Sequence, residues 1–235
     1  MNPRLRSALI AASACALTLG AAGCGSSGGS GGGGGAAAKT ALAAAKANFD
    51  KATSVHFTMV TKSKPSSGDA VLGADGTLTH QPAFQGKVTV LFSGFNADIP
   101  VTSVGGKVFA KLPLTTKYSK IDPSEYGAPD PADFADPATG ISGLLNKLAG
   151  AEKTGQKRDG KSIVTTYAGT LSGDLVAPII PSADAGSTYD TVVGIDQDGQ
   201  IATLKVTGKF FAGAGRVTYS LVFDDYGKSV EITAP

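Results

Sequence analysis

The strongest constraint on this chain is a period of two. Val217-Thr218-Tyr219-Ser220-Leu221-Val222-Phe223 places an apolar side chain at every second position, and Leu204-Lys205-Val206 and Val230-Glu231-Ile232 repeat the pattern on either side. The alternation recurs in Val55-His56-Phe57-Thr58-Met59, Val88-Thr89-Val90-Leu91-Phe92 and Val108-Phe109-Ala110-Lys111-Leu112. Side chains of an extended chain point alternately to its two faces, so each run buries one face and wets the other. That is the antiparallel pattern, not the parallel one. Asp75-Gly76, Gly105-Gly106, Asp159-Gly160 and Asp198-Gly199 are dipeptides that suit hairpin turns. The spacing predicts a meander of nine or ten strands.

Three segments change period. Lys39 to Ala52 is Ala-rich, with Leu42, Ala45, Phe49 and Ala52 on one helical face. After Asp136-Pro137, Ile141, Leu144, Leu145 and Leu148 fall at i, i+3, i+4 and i+7. Ser172 reads as an N-cap for a third, short helix carrying Leu175, Val176 and Ile179 and ended by Pro181. The fold class is therefore α+β: a long antiparallel sheet that curls around three short helices instead of lying flat.

The N-terminus does not belong to this domain. Arg4 and Arg6 precede an apolar run from Ser7 to Gly20, with no acidic residue before Asp50. As a helix that run would span only about 21 Å, against a hydrocarbon core of roughly 30 Å, so it reads as a signal-peptide core. Ala21-Ala22-Gly23-Cys24 follows and resembles a bacterial lipobox, in which the cysteine takes a diacylglycerol and becomes the new N-terminus. The next residues, Gly25 to Gly35, are only glycine and serine, a composition that builds a tether and no core. The expected organisation is a signal peptide over 1–23, a lipidated Cys24 with a tether over 24–38, and a single domain over 39–235. Losing Arg4 and Arg6 lowers the basic count from 21 to 19, equal to the 19 acidic residues. A formally neutral domain has no electrostatic footprint for nucleic acid, and none is expected as a partner.

No catalytic residues and no metal ligands are assigned, and no cofactor. The only histidines are His56, on a strand pattern and facing solvent, and His80. Gly28-Gly29-Ser30-Gly31-Gly32 matches a nucleophile elbow in letters but has no strand before it and no helix after. Lys153-Thr154-Gly155 lacks the Ser-x-x-Lys that would give it meaning. Asp196-Gln197-Asp198-Gly199 has Thr207, not a bidentate Glu, at the twelfth place of a calcium loop, and reads as a hairpin turn. Asp130, Asp133 and Asp136, interleaved with prolines, read as an exposed loop.

Three stretches resemble the actinobacterial LppX/LprAFG lipoprotein family. They are Val108 to Leu112 after Gly105-Gly106, Tyr118 to Ile121 through Phe134-Ala135-Asp136-Pro137 to Leu148, and Tyr219-Ser220-Leu221 with Tyr226-Gly227-Lys228. The resemblance implies a half-barrel sheet with helices on its concave face and an apolar cavity between them. It further implies an acylated-lipid ligand of phospholipid, glycolipid or triacylglyceride type, carried between envelope layers by a non-enzymatic monomer. The protein would be anchored by lipid on the extracytoplasmic side of the cell membrane, with an envelope lipid exporter as a partner. The alternation nominates Val88, Val90, Phe92, Ile141, Leu144, Leu145, Leu148, Leu204, Val206, Tyr219 and Leu221 as cavity walls. The same residues would equally fill the solid core of a sensor or scaffold that binds a protein partner.

Overall fold

A computed structural model describes residues 33–160 and 162–235. The signal segment, Cys24 and the first part of the tether therefore lie outside the described residues.

Eleven described strands form one antiparallel sheet: β1 (Ser54–Thr61), β2 (Ala70–Thr79), β3 (Ala83–Phe92), β4 (Phe95–Val104), β5 (Lys107–Ala110), β6 (Ser119–Ile121), β7 (Ala149–Asp159), β8 (Ser162–Ser172), β9 (Thr188–Ile195), β10 (Ile201–Gly208) and β11 (Val217–Asp224). Their order is β6-β5-β4-β3-β2-β1-β11-β10-β9-β8-β7, so two meanders meet where β1 pairs with β11. β6 and β7 remain edges, and the sheet is an open half-barrel. The connections define two rims. The upper rim carries residues 62–69, Ser93-Gly94 and 209–216, while the 111–118 connection leaves the short β5 beside Pro100 in the middle of β4; the lower rim carries the β2–β3, β4–β5 and β9–β10 connections.

α1 (Gly33–Lys51) crosses the concave face and buries Ala38, Leu42, Ala45 and Phe49 on one stripe. It starts at the upper rim, where Gly35 lies against the Ala151 carbonyl. It ends at the lower rim, where Asn48 Nδ2 donates to the Gly199 carbonyl at 2.9 Å. The helix begins at Gly33, ahead of the expected Lys39, because Ala36, Ala37 and Ala38 are the best of helix formers.

Four expectations need correction. Asp75-Gly76 is not a turn but lies inside β2, where Gly76 pairs with Gly86 of β3. The two glycines are paired because the Phe84 ring lies over them: a Cβ would stand 2.6 Å from that ring at Gly76 and 2.9 Å at Gly86. The Ile141–Leu148 stripe forms a 3-10 helix (Ser142–Lys147) instead of an α-helix, with i+3 bonds such as Leu144 N to the Ile141 carbonyl at 3.3 Å. Its tight winding suits Gly140 and Gly143, whose backbones pack against the carbonyls of Phe134 and Ala138 too closely for a side chain. Val230 to Ile232 is not a strand. Gly227 N donates to the Ser54 carbonyl and the Lys228 carbonyl accepts from Ser54 Oγ, so the tail docks on the start of β1. Finally, the acidic loop is largely buried: Pro131–Ala135 is a 3-10 turn with Phe134 pressed into the core.

The remaining turns are as expected. Gly105 and Gly106 both adopt positive φ in a two-residue hairpin, Gly160 does so between β7 and β8, and Gly199 between β9 and β10. Asp196 Oδ1 accepts from the backbone N–H groups of Asp198 and Gln200, which explains the aspartate without a metal. α2 (Gly173–Val176) is a single turn following Ser172.

The paired glycines give a direct test. At Gly86 a Cβ would lie 2.2 Å from the Asp75 carbonyl oxygen, which no rotamer relieves. Gly86→Ala should cost about 2 kcal/mol by overpacking, lowering the melting temperature by about 4–8 °C in a thermal scan.

Candidate functional site

The concave face combines two aromatic ends with an aliphatic middle. At the lower rim Phe49 packs edge-on against Phe223 with centroids 5.9 Å apart, and Phe57 meets Phe84 at 6.0 Å and Phe134 at 6.2 Å. At the upper rim Phe210 packs between Tyr189 (4.8 Å) and Tyr219 (4.6 Å). Between them the register sets Met59, Leu221, Leu204 and Val193 side by side across four strands. Leu144, Leu145, Leu148 and Ile141 join the same buried cluster from the 3-10 helix and its flanks.

The few polar groups are tied to backbone. Tyr219 Oη donates to the Val71 carbonyl at 2.6 Å, bridging β11 to β2 over the concave face, and burial pushes its hydroxyl up to about 12. Tyr226 Oη donates to the Ile201 carbonyl at 2.7 Å, and burial raises its pKa further. Ser142 Oγ donates to Asp50 Oδ1 at 2.6 Å, a polar link from the 3-10 helix to α1. Asp130 and Asp136 accept from nearby backbone N–H groups and so act as caps, while Asp133 is pushed up, first by burial and then by those two neighbours. His56 stays on the convex side, 2.7 Å from Asp224. Among the described residues, no three His, Cys, Asp or Glu come together to hold a metal, and no helix is long and apolar enough to cross a membrane.

Of the nominated wall residues, Ile141, Leu144, Leu145, Leu148, Leu204, Val206, Tyr219 and Leu221 fall in one cluster, each at most 5% exposed. At that exposure almost none of their surface is open to water, and they belong to one packed cluster. Val88 and Val90 are half-buried, and Phe92 is 56% exposed. A cleft of about 390 Å³ at the upper rim is lined by Ser182, Asp184 and Lys209 to Ala214. Another of about 330 Å³ lies at the lower rim between Asn48, Asp198 and Tyr226. Neither is lined by a nominated wall residue.

The two strands of the β3–β4 hairpin tell more. Phe84, Gly86, Val88, Val90 and Phe92 share the concave face of β3, opposite Ser103, Val101, Ile99, Ala97 and Phe95 of β4. Exposure rises steadily toward the upper rim, from Phe84 at 0% through the half-buried valines to Phe92, and from Val101 at 7% to Phe95 at 78%. The apolar face thus runs out from under its cover. Phe134, which plugs the lower part of this arm, was missed because its segment has no period. The Asp-Pro-Ala-Asp-Phe-Ala-Asp-Pro spelling, one aromatic between Asp-Pro caps, was the available signal.

An open half-barrel of antiparallel strands with short helices on a dry concave face defines a class of envelope lipoprotein folds, and the comparisons identify which. The LppX_LprAFG lipoprotein family model matches residues 37–232, and the chain belongs to that family. It is 25% identical over 233 residues to proteins of Mycobacterium bovis and Mycobacterium tuberculosis named lipoarabinomannan carrier protein LprG, covering 98% of this chain and 95% of theirs. The crystal structure of LprF from Mycobacterium bovis superposes with a TM-score of 0.71 at 15% identity, over 87% of this chain and 99% of that one. LppX from Mycobacterium tuberculosis gives 0.62 at 18% identity, over 84% and 99%. The fold is shared with both.

One half-buried group makes the lower aromatic end sensitive to pH. His80 packs edge-on against Phe49 at 5.4 Å, and burial, opposed in part by the Ala52 backbone and by the charge of Asp50, holds its pKa below the ordinary 6.5. The unfolded chain therefore binds more protons than the fold just below pH 6.5, so stability is full above that value and falls as the pH drops. Denaturant melts of wild type should weaken between about pH 7 and pH 5, and His80→Phe should flatten that part of the profile.

Proposed function

We propose that this protein is a lipid-anchored carrier of acylated lipids. The observation that carries this reading is the mismatch between an eleven-strand concave apolar face and its short cover, which leaves the upper half of β3 and β4 apolar and half-covered. The mycobacterial relatives named lipoarabinomannan carriers support a lipid as the cargo. In this reading residues 1–23 leave as a signal peptide, Cys24 is acylated, and the residues between it and the start of α1 at Gly33 link it to the domain. The monomer faces the extracytoplasmic side of the cell membrane. It takes phospholipid-, glycolipid- or triacylglyceride-type cargo between inner and outer envelope layers, working with a lipid exporter. No bond is made or broken; the chemistry is transfer of apolar surface from water.

Acyl chains would enter by parting the 3-10 helix from the sheet. Its i+3 hydrogen bonds are poorer than α-helical ones, and a six-residue piece has little of its own structure to lose. The walls are then Ile141, Leu144, Leu145 and Leu148 on one side, and Leu204, Val206, Tyr219 and Leu221 on the other. Val88, Val90 and Phe92 form the open end. One observation favours a second reading, a scaffold with a filled core: eight of these side chains already meet one another.

Organic extraction and mass spectrometry of the membrane-purified protein separate the two. A carrier yields stoichiometric lipid and an intact mass that includes the acylated Cys24; a filled scaffold yields no cargo and takes up no fluorescent acyl probe. Leu144→Trp should cut copurifying lipid several-fold by occupying the space that the parted walls create. Val88→Trp, at a half-buried position on the margin of the core cluster, should do the same. Full lipid loading in a folded Val88→Trp protein would sink the proposed walls.

A further inference from the structure

We infer that the upper rim at the β3–β4 hairpin is a bilayer-docking surface, with Phe92 and Phe95 as the side chains that enter the interface. This rests on the acylation of Cys24 proposed above.

The two are the most exposed aromatic groups among the described residues, at 56% and 78%, and both lie at the tip of one hairpin. Phe92 and Phe95 are directly opposed in the β3–β4 register and flank a two-residue turn in which Ser93 and Gly94 both adopt positive φ. That turn holds the two rings on one face of a twisted ribbon. Its position is fixed further by Asp69 Oδ1, which accepts from Ser93 N at 2.9 Å and ties the tip to the 62–69 connection. A small rigid apolar knob in water costs free energy that an interfacial seat removes, and aromatic rings suit that depth.

Two further observations choose a membrane over other occupants. α1 begins at the upper rim, beside Ala151 of β7. From Cys24 to Gly33 is nine residues, which even fully extended reach only about 30 Å. An acylated Cys24 therefore holds this rim within one small-domain diameter of the bilayer. Charge agrees as well: the 62–69 connection that Asp69 ties to the tip also carries exposed Lys62 and Lys64, a net charge of +1 that can face anionic headgroups. The docked rim would present the half-covered face of β3 and β4 to the acyl layer, so that a chain could slide in without crossing water.

The chain contains no tryptophan, so single replacements report their own surroundings. Full-length Phe95→Trp, lipidated and reconstituted into vesicles of phosphatidylcholine and phosphatidylglycerol in equal parts, should show a blue-shifted emission. Brominated phosphatidylcholine should quench it in proportion to its fraction of the bilayer, whereas Val222→Trp, exposed on the convex face, should respond to neither. Unshifted, unquenched Phe95→Trp emission would overturn the proposal. A blue shift without bromine quenching would overturn it in favour of a second copy of the chain. Quenching that saturates at one brominated lipid per protein would overturn it in favour of a cargo seat. Intact mass of the same samples scores Cys24 acylation and bound lipid separately, so the carrier reading can fail while the docking surface stands, or the reverse.

Discussion

The pairing of β1 with β11 is the contact on which the rest of the molecule depends. Each half of the chain is a meander that could form locally, but neither half buries its apolar face alone. Six register pairs, from His56 opposite Asp224 to Thr61 opposite Tyr219, join residues as much as 168 positions apart into one continuous sheet. The register is strictly set. A slip by one residue would turn Phe57 and Met59, or Tyr219, Leu221 and Phe223, out to water together. The His56–Asp224 and Tyr219–Val71 hydrogen bonds mark the two ends of that seam. Closure of so long a loop must precede its reward, so folding should be limited by this step.

Joining the two meanders makes a sheet wider than the helices available to cover it, and the solution adopted is uneven. α1 lies over β7 to β10 and crosses from rim to rim, anchored at both. The other arm, β2 to β4, receives only the Phe134 turn, which covers its lower part. The paired glycines Gly76 and Gly86 make that cover sufficient where it exists, because they let Phe84 lie flat against the strands and meet Phe57. Above them Val88 and Ile99 pack only in part against the core cluster, and Phe92 and Phe95 at the tip are exposed. The same imbalance thus produces a tightly packed aromatic end at one rim and an open apolar end at the other.

Much of this was legible in the sequence, and what was not has identifiable causes. Period-two runs located β1, β3, β5, β10 and β11, because each has one face in the core and one in water. Gly105-Gly106, Asp159-Gly160 and Asp198-Gly199 located the β4–β5, β7–β8 and β9–β10 turns, where the glycines adopt positive φ. Asp75-Gly76 carried the same letters for another reason: the glycine makes room for the Phe84 ring of the next strand, and spacing cannot distinguish these needs. Helical spacing at Ile141 to Leu148 correctly grouped the four buried side chains but not the winding, since i and i+3 coincide in both helix types. At the site, eight nominated walls proved to be one cluster, whereas the exposure of Phe92 reflects its place at a hairpin tip beyond the cover. Alternation states which face a residue occupies; it does not state how far along the strand the opposite layer extends.

The closeness of the walls bears on what a carrier of this design would do. If cargo parts the 3-10 helix from the sheet, each acyl chain replaces side-chain contacts that the protein already makes with itself. The burial of a methylene, about 0.8 kcal/mol, is then not all available as affinity, because the closed state has removed most of the same wall surface from water. Net binding comes from the cargo's own apolar surface leaving water and from whatever of Val88, Val90, Ile99 and Phe92 becomes covered. A cargo leaving a bilayer gains little from the first of these, so exchange with a membrane would run close to balance. A preformed empty cavity would hold lipid more tightly and release it more slowly. A self-sealing apolar face with one uncovered end favours turnover over storage, and it keeps the unloaded protein from exposing a large dry surface to water.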